Sequence, residues 1–259
     1  MSLPISNVNL SLEGKVAIVT GGGTGIGKAI SLEFAKAGAD VVVSGRRLSP
    51  LEKVSKDIET LGRRSLVIQT DVSKKTDVDN LVENAISKFG CVDILVNNAG
   101  VLSSASVLET PEDEWNRIID IDLKGCYLCC QAVSRKMIDQ RRGNIINMSS
   151  IGGLSTCGGV SVGVYGIAKV GIIRLTQGLA WELGRYNIRV NSIAPGIVIT
   201  DMTRDVWSDP ERIKQREVKR PLGRLMEPGE VATVALFLAS DASASITGQT
   251  LIADCGELS

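Results

Sequence analysis

The chain has 259 residues, 44% hydrophobic and 22% charged, which is enough apolar material for a core and too little charge for a disordered protein. Lysine plus arginine equals aspartate plus glutamate at 29 each, and no basic stripe is interleaved with aromatic residues, which argues against a nucleic-acid partner. The sequence contains no histidine, which excludes Ser-His-Asp and Cys-His catalysis and most catalytic zinc sites.

No apolar run approaches the length of a membrane span, and the N-terminal residues lack a basic segment leading into an apolar stretch. We therefore expect a soluble cytoplasmic protein with no membrane partner. No proline- or serine-rich linker divides the sequence, so we expect a single domain over residues 1–259.

Short apolar runs typical of strands alternate with helical stretches along the chain. They cover residues 16–20, 41–44, 66–69, 94–96, 144–148, 189–193 and 250–252. This alternation predicts an α/β fold, a doubly wound (Rossmann) seven-stranded parallel sheet with helices on both faces. Ligands bind beyond the carboxyl ends of the strands in such sheets, so the loops after these runs are where a site is expected.

The loop after the first strand is rich in glycine. Residues 20–27 read Thr-Gly-Gly-Gly-Thr-Gly-Ile-Gly and lead into a helical stretch. Glycines there permit a tight turn and close approach of a pyrophosphate, which the free N–H groups and positive dipole end of the helix attract. The segment predicts dinucleotide binding, and a turn needed only for packing is the alternative.

Arg46 and Arg47 follow the second strand, where NAD-binding folds carry an acid for the ribose 2′-hydroxyl. Because an arginine can clamp a 2′-phosphate, we expect NADP rather than NAD, although both residues also fit solvated loop charges. Asp71, after the third strand, either accepts from the adenine amino group or caps its own loop. The segment Asn97-Asn98-Ala99-Gly100 is expected to form the floor beneath the nucleotide.

Tyr165 and Lys169 are four residues apart in a helical stretch, which places a phenol and an ammonium on one face. Reduction of a ketone by hydride develops an alkoxide that needs a proton, and a tyrosine is a poor base at neutral pH unless a nearby cation stabilises the phenolate. The pair therefore predicts a proton donor beside a redox cofactor.

Cys126, Cys129 and Cys130 are the closely spaced members of the six cysteines. They lie in an apolar helical stretch, and we expect small buried side chains rather than a thiol site. Without histidine or a second close cysteine pair, no metal site is expected.

Four motifs occur in order along the chain: Thr20-Gly21 with Gly25 and Gly27, Asn97-Asn98-Ala99-Gly100, a serine before Tyr165-x-x-x-Lys169, and Pro195-Gly196 followed by Thr200. With these motifs the sequence, from about residue 12 to residue 256, resembles the short-chain dehydrogenase/reductase family. It is most similar to the branch that contains 3-oxoacyl-carrier-protein reductases and gluconate dehydrogenases.

The resemblance implies roles for individual residues. Tyr165 would be the acid/base, Lys169 would bind the nicotinamide ribose and lower the pKa of the tyrosine, and Ser150 would hydrogen-bond the substrate carbonyl. The expected cofactor-binding residues are Gly21, Thr24, Gly25, Ile26, Gly27, Arg46, Arg47, Asp71, Val72, Asn98, Ala99, Gly100, Tyr165, Lys169, Pro195, Gly196, Val198 and Thr200. A homotetramer is implied, with a dimer as the alternative.

The sequence departs from the family pattern at two places. Asp122 stands where relatives hold an asparagine that fixes a water in the proton relay behind the lysine, and it adds a charge while removing a donor. The gap between Ser150 and Tyr165 is longer than usual, so Ser149 is an alternative to Ser150, and the loop 155–164 is expected to reshape the substrate pocket.

Residues 200–224 are polar and fall where relatives carry a mobile flap over the substrate. The net charge of +3 over residues 204–224 either favours an anionic substrate or belongs to a solvated helical face. We expect an oxidoreductase that transfers a hydride between NADP(H) and a carbonyl/alcohol substrate. The alternative is a nucleotide-binding subunit or redox sensor of the same fold that has lost turnover.

Overall fold

The structure, a computed structural model, describes residues 9–103, 105–156 and 163–259. Its strands are β1 (Val16–Thr20), β2 (Asp40–Gly45), β3 (Ser65–Gln69), β4 (Ile94–Asn97), β5 (Gly143–Met148), β6 (Ile188–Pro195) and β7 (Thr250–Ala253). Its helices are α1 (Gly25–Lys36), α2 (Leu48–Thr60), α3 (Lys75–Phe89), α4 (Glu112–Ile118), α5 (Gly125–Gln140), α6 (Val164–Leu183), α7 (Arg204–Trp207), α8 (Pro210–Glu217) and α9 (Pro228–Ala239). A π-helical turn, Ile119–Lys124, joins α4 to α5.

The seven strands form one parallel sheet in the order β3-β2-β1-β4-β5-β6-β7. The predicted doubly wound sheet is therefore confirmed, and each predicted strand lies within two residues of the observed one. The order of the strands reverses between β1 and β4, which opens a crevice at their carboxyl ends.

The central strands are buried on both faces, which explains their continuous apolar sequence. Ala17 and Val19 of β1 point into one hydrophobic cluster with α1 and α9, whereas Ile18 points into a second cluster with α3 and α5. Helices therefore cover both faces of the sheet.

The C-terminal residues are tied to the segment after α8 by a buried ion pair. The side chains of Arg220 and Glu257 are 0% and 3% exposed, and Arg220 also donates to the carbonyl of Arg216. Two polar atoms of this pair, Arg220 Nε and Glu257 Oε1, have no hydrogen-bond partner. If either charge is removed, few other hydrogen bonds therefore remain to stabilise the buried partner.

We expect Glu257→Gln to lower the free energy of unfolding by about 3–5 kcal/mol, because it leaves the buried Arg220 cation without its counter-charge. The matched control is Asp79→Asn, which breaks an exposed i,i+4 pair with Lys75 and should cost about 0.5 kcal/mol. Urea unfolding followed by circular dichroism measures both. Equal midpoints for the two variants would contradict the role given to the buried pair.

Candidate functional site

A cavity of about 580 Å³ lies at the carboxyl ends of the strands, beside the β1–β4 boundary. It brings together nearly all the residues predicted from the sequence, from the glycine-rich turn after β1 to Thr200 after β6. The predicted residues that line it are Gly21, Thr24, Gly25, Ile26, Arg46, Arg47, Asp71, Val72, Asn98, Ala99, Gly100, Asp122, Ser150, Tyr165, Lys169, Pro195, Gly196, Val198 and Thr200.

Gly27 and, of the expected floor, Asn97 do not line the cavity. A Cβ atom on Gly27 would lie 2.2 Å from the carbonyl oxygen of Gly21 and 2.5 Å from Nδ2 of Asn98. Glycine is needed there because α1 packs closely under the turn, a packing reason and not a ligand contact.

The loops after β1 and β4 are held together by Thr20 and Asn98. Thr20 Oγ1 accepts from the backbone N–H groups of Asn98 (3.0 Å) and Ala99 (3.1 Å), and Asn98 Nδ2 donates to the carbonyl of Thr20 at 3.0 Å. Thr20 is buried, so these contacts are shielded from water. They fix the position of the turn relative to the floor of the cavity.

The N-terminus of α1 opens into the cavity at Thr24 and Gly25. Thr24 is the N-cap, its side chain makes no capping hydrogen bond, and the first turn carries no acidic residue. The first N–H groups of the helix and its positive dipole end are therefore left for an anion. Arg46 and Arg47, both exposed, also line the cavity. This set of donors fits the diphosphate of a dinucleotide.

Asp71 lines the cavity and also caps its own loop. Its Oδ1 accepts from the backbone N–H (3.1 Å) and the hydroxyl (2.7 Å) of Ser73. Burial acts to raise the pKa of Asp71, but the hydrogen bonds from Ser73 and the charges of Arg46 and Lys74 outweigh it and hold the pKa below its usual value. The capping alternative is thus present in the structure.

Lys169 is buried at the centre of the site. Its Nζ lies 3.0 Å from Oδ2 of Asp122 and donates to the carbonyl of Met148 at 3.1 Å. The two charged side chains are 6% and 0% exposed. Asp122 reaches this position from the π-helical turn, a local geometry often found at functional sites.

The charge on Lys169 is stable despite its burial. Desolvation acts to lower its pKa, but the attraction of Asp122 and of Tyr165, together with the contact to Asp122, raises the pKa above its usual value. Nζ lies 5.2 Å from the centroid of the Tyr165 ring, one turn earlier on α6. A permanent cation therefore stands beside the phenol, as the spacing of the two residues predicts.

The two candidate serines differ in what their hydroxyl groups do. Ser149 Oγ donates to the backbone carbonyl of Lys169 at 3.1 Å, so its proton is used within the protein. Ser150 Oγ accepts from the N–H of Gly152 at 3.1 Å, a contact that does not use its proton. Both line the cavity, and the geometry favours Ser150 as the donor to a ligand. The predicted change in the loop 155–164 falls largely on residues 157–162, outside the described residues.

The cavity has lining residues that the sequence motifs did not indicate. Thr203 Oγ1 contacts Thr200 Oγ1 at 3.3 Å, and the indole N–H of Trp207 on α7 donates to the carbonyl of Thr200 at 2.7 Å. Gly23, which also lines the cavity, belongs to the glycine-rich turn, and Asp201, Met202 and Thr203 belong to the segment expected to form the flap. The other lining residues belong to none of the four motifs, and they are Gly45, Pro50, Leu51, Thr70, Val101, Ile121 and Met148.

Cys126, Cys129 and Cys130 are buried in α5, as predicted. Cys126 and Cys130 donate weakly to Oδ1 of Asn147 at 3.4 and 3.6 Å. Burial raises the pKa of Cys129, which keeps it protonated and unreactive. Among the described residues, no three or more acidic or cysteine side chains are grouped to hold a metal ion, and no helix is long and apolar enough to cross a membrane.

Comparison with known proteins places the chain in a family. A family model described as enoyl-(acyl carrier protein) reductase matches residues 21–257. The 3-oxoacyl-[acyl-carrier-protein] reductase of Thermotoga maritima is 39% identical over 248 residues, which are 95% of this chain and 99% of that protein.

Two further relatives show how varied the substrates of similar proteins are. The L-rhamnose 1-dehydrogenase (NAD(P)(+)) of a Sphingomonas species is 37% identical over 95% of this chain and 96% of that protein. The crystal structure of a putative gluconate dehydrogenase from Agrobacterium tumefaciens superposes with a TM-score of 0.92, at 30% identity, covering 98% of this chain and 99% of that one. The fold, the cavity and these matches agree, and the chain belongs to the short-chain dehydrogenase/reductase family of oxidoreductases.

Proposed function

We propose that this protein is an NADP-dependent reductase or dehydrogenase that moves a hydride between the cofactor and a carbonyl/alcohol pair, with Tyr165 as general acid/base. The observation that carries the proposal is the convergence of Tyr165, the Lys169 ammonium and Ser150 on one cavity that also receives the N-terminus of α1. When bound, a nicotinamide dinucleotide supplies or takes up the hydride.

In ketone reduction, the phenol of Tyr165 gives its proton to the carbonyl oxygen as negative charge develops there. The cation of Lys169 favours the phenolate that remains, and its burial strengthens the attraction because water does not screen it. Ser150 holds the carbonyl oxygen through its hydroxyl, so that the oxygen faces the phenol. Alcohol oxidation runs through the same groups in reverse.

Lys169 has a second role in this proposal, since it also orients the ribose of the cofactor. The carboxylate of Asp122 connects this ammonium to the loop after β4. Pro195, Gly196 and Thr200 are assigned to the carboxamide end of the cofactor, where all three line the cavity.

The proposed cofactor is NADP, with NAD as the alternative. The cavity wall after β2 offers two exposed guanidinium groups, Arg46 and Arg47, and no acid that would repel a 2′-phosphate. The similar rhamnose dehydrogenase is described with NAD(P)(+), which is consistent with either cofactor.

We propose that the substrate carries an uncharged carbonyl or alcohol group and needs no anionic group beside it for binding. The positive charge of residues 204–224 is largely compensated, because four of its arginines have acidic partners. Arg204, Arg212, Arg220 and Arg224 pair with Asp201, Asp209, Glu257 and Glu230. We assign residues 200–224 to a flap, supported by Met202 at the mouth of the cavity, which is 49% exposed.

The proposed assembly is a homotetramer, with a dimer as the alternative. The outer face of α6 carries apolar side chains without cover in the described structure: Ile167, Val170 and Trp181 are 45%, 52% and 89% exposed. Gly178 on the same face has open space beside it. A second copy of the chain is the proposed partner for this stripe.

Tyr165→Phe should keep the affinity for NADPH and abolish turnover, because it deletes only the transferable proton. Cofactor fluorescence measures binding, and cofactor absorbance with a panel of ketones and alcohols measures turnover. Tyr127→Phe, on the exposed face of α5, is the matched control and should retain full activity. Tight cofactor binding without turnover by the unaltered enzyme on any panel member would favour the non-catalytic alternative, and active Tyr165→Phe would remove the assigned acid.

Arg46→Ala should weaken NADP binding by roughly 10–100-fold and leave NAD binding nearly unchanged, since only NADP offers a 2′-phosphate to the guanidinium. Isothermal titration with each cofactor measures the two affinities. Arg64→Ala removes an arginine that pairs with Asp40 away from the cavity and serves as control. Equal losses for both cofactors would show that Arg46 does not select between them.

Trp181→Glu should shift the assembly toward smaller species, because it places a charge at the most exposed apolar side chain of the proposed interface. Leu108→Glu is the control, since Leu108 is 97% exposed but lies outside α6. Sedimentation velocity distinguishes monomer, dimer and tetramer. An unchanged sedimentation profile for Trp181→Glu would exclude this face of α6 from the interface.

A further inference from the structure

Asp122 uses both of its carboxylate oxygens within the site. Oδ1 accepts from the backbone N–H of Val101 at 2.8 Å, and Oδ2 lies 3.0 Å from Nζ of Lys169. The contact to Lys169 is an ion pair and not a hydrogen bond, and Oδ2 makes no hydrogen bond to any other group. The carboxylate therefore joins the loop after β4 to α6 through two different interactions.

An amide at this position could not make the same two contacts. Asparagine has one oxygen, so if that oxygen accepts from Val101, the amide NH₂ faces the ammonium of Lys169, donor against donor. The carboxylate packs beside the backbone of Gly100, where an added Cβ would lie 3.0 Å from Oδ2 of Asp122. The requirement for two acceptors favours a carboxylate on geometric grounds alone.

The carboxylate also changes the electrostatics of the site. Lys169 and Asp122 are both nearly inaccessible to solvent, so neither charge is screened. The phenol of Tyr165 consequently faces a neutralised pair and not an isolated cation. A neutralised pair stabilises the phenolate less than a lone ammonium does.

Among the described residues, few other titratable groups surround this pair. Cys126 of α5 lies within electrostatic reach of Lys169, and Tyr165 faces it from α6. Arg117 of α4 interacts with Asp122, although its pKa is raised mainly by its hydrogen bond to Glu114. From β5 only the carbonyl of Met148 reaches the ammonium.

Asp120 and Lys124 form a separate, exposed pair on the same π-helical turn, 3.0 Å apart. This pair lies in the same local structure as Asp122 but in contact with solvent. It therefore provides a control in which one negative charge is removed from the turn without altering the buried pair.

We propose that Asp122 is a positioning residue that acts through Lys169, holding the ammonium against the loop after β4 and, by its negative charge, setting the pH range in which Tyr165 exchanges its proton. The proposal rests on the proposed function of Tyr165 and adds a residue that tunes it. In this enzyme the oxidation of alcohol begins at a higher pH than it would with an uncharged residue at position 122.

The test compares the pH profile of kcat/KM for alcohol oxidation in the enzyme, Asp122→Asn and Asp120→Asn. In Asp122→Asn no negative charge offsets the Lys169 cation, so the cation favours the phenolate of Tyr165 more strongly. The acid limb of the profile, where kcat/KM rises with pH, should therefore move to lower pH by roughly one unit. One unit below the midpoint of the unaltered enzyme, activity relative to its maximum should then rise roughly fivefold. Asp120→Asn should leave the limb in place.

A second readout needs no substrate. The chain has three tyrosines, so near-ultraviolet titration of each protein against the same protein carrying Tyr165→Phe isolates the phenolate of Tyr165. The difference signal should appear at lower pH in Asp122→Asn than in the unaltered protein. Asp122→Ser removes the same charge with a smaller polar side chain and replaces the asparagine variant if that variant does not fold.

The two readouts separate the failure of this inference from the failure of the proposed function. Absence of turnover in the unaltered enzyme, with a displaced phenolate signal, would overturn the proposed function and leave the inference about the charges standing. The role of Asp122 would be overturned if, in Asp122→Asn, the acid limb and the phenolate signal stayed in place or moved to higher pH.

Discussion

The arrangement of the site depends on one buried ammonium. Lys169 sits where water does not reach, and a charge in such a place is stable only if the protein supplies counter-charge and hydrogen bonds. Asp122 supplies the first and the carbonyl of Met148 the second. Each compensating group comes from a different element, the π-helical turn and β5, so stabilising the cation also fixes α6 against the sheet. The position of Tyr165 follows, because it is carried on the same helix one turn earlier.

The parallel sheet explains why these groups meet at all. All strands end at the same edge, so loops that are distant in sequence become neighbours where the strand order reverses. The contacts of Thr20 and Asn98 then hold two of these loops in a single position. A nucleotide would thus meet a surface organised in advance by the protein, because the N-terminus of α1 and the proposed proton donor, Tyr165, line the same cavity.

The strands, the sheet and most of the cavity could be predicted from the sequence, because buried runs and glycine-rich turns leave strong local patterns. Gly27 shows the limit of motif reasoning: its glycine is needed for packing under the turn and not for lining the cavity. The contacts of Asp122 depend on the register of a π-helical turn, which no local pattern indicates. The bond between Trp207 and Thr200 could not be predicted either, since it joins two parts of an irregular segment.

Trp207 gives the molecule an internal optical probe. Its indole N–H is bonded to the carbonyl of Thr200, a residue of the cavity wall. The other two tryptophans, Trp115 and Trp181, are 41% and 89% exposed. Indole emission is sensitive to hydrogen bonding and polarity, so displacement of the wall at Thr200 alters the fluorescence of one identifiable residue. Movement of this wall can therefore be followed in real time without attaching a dye.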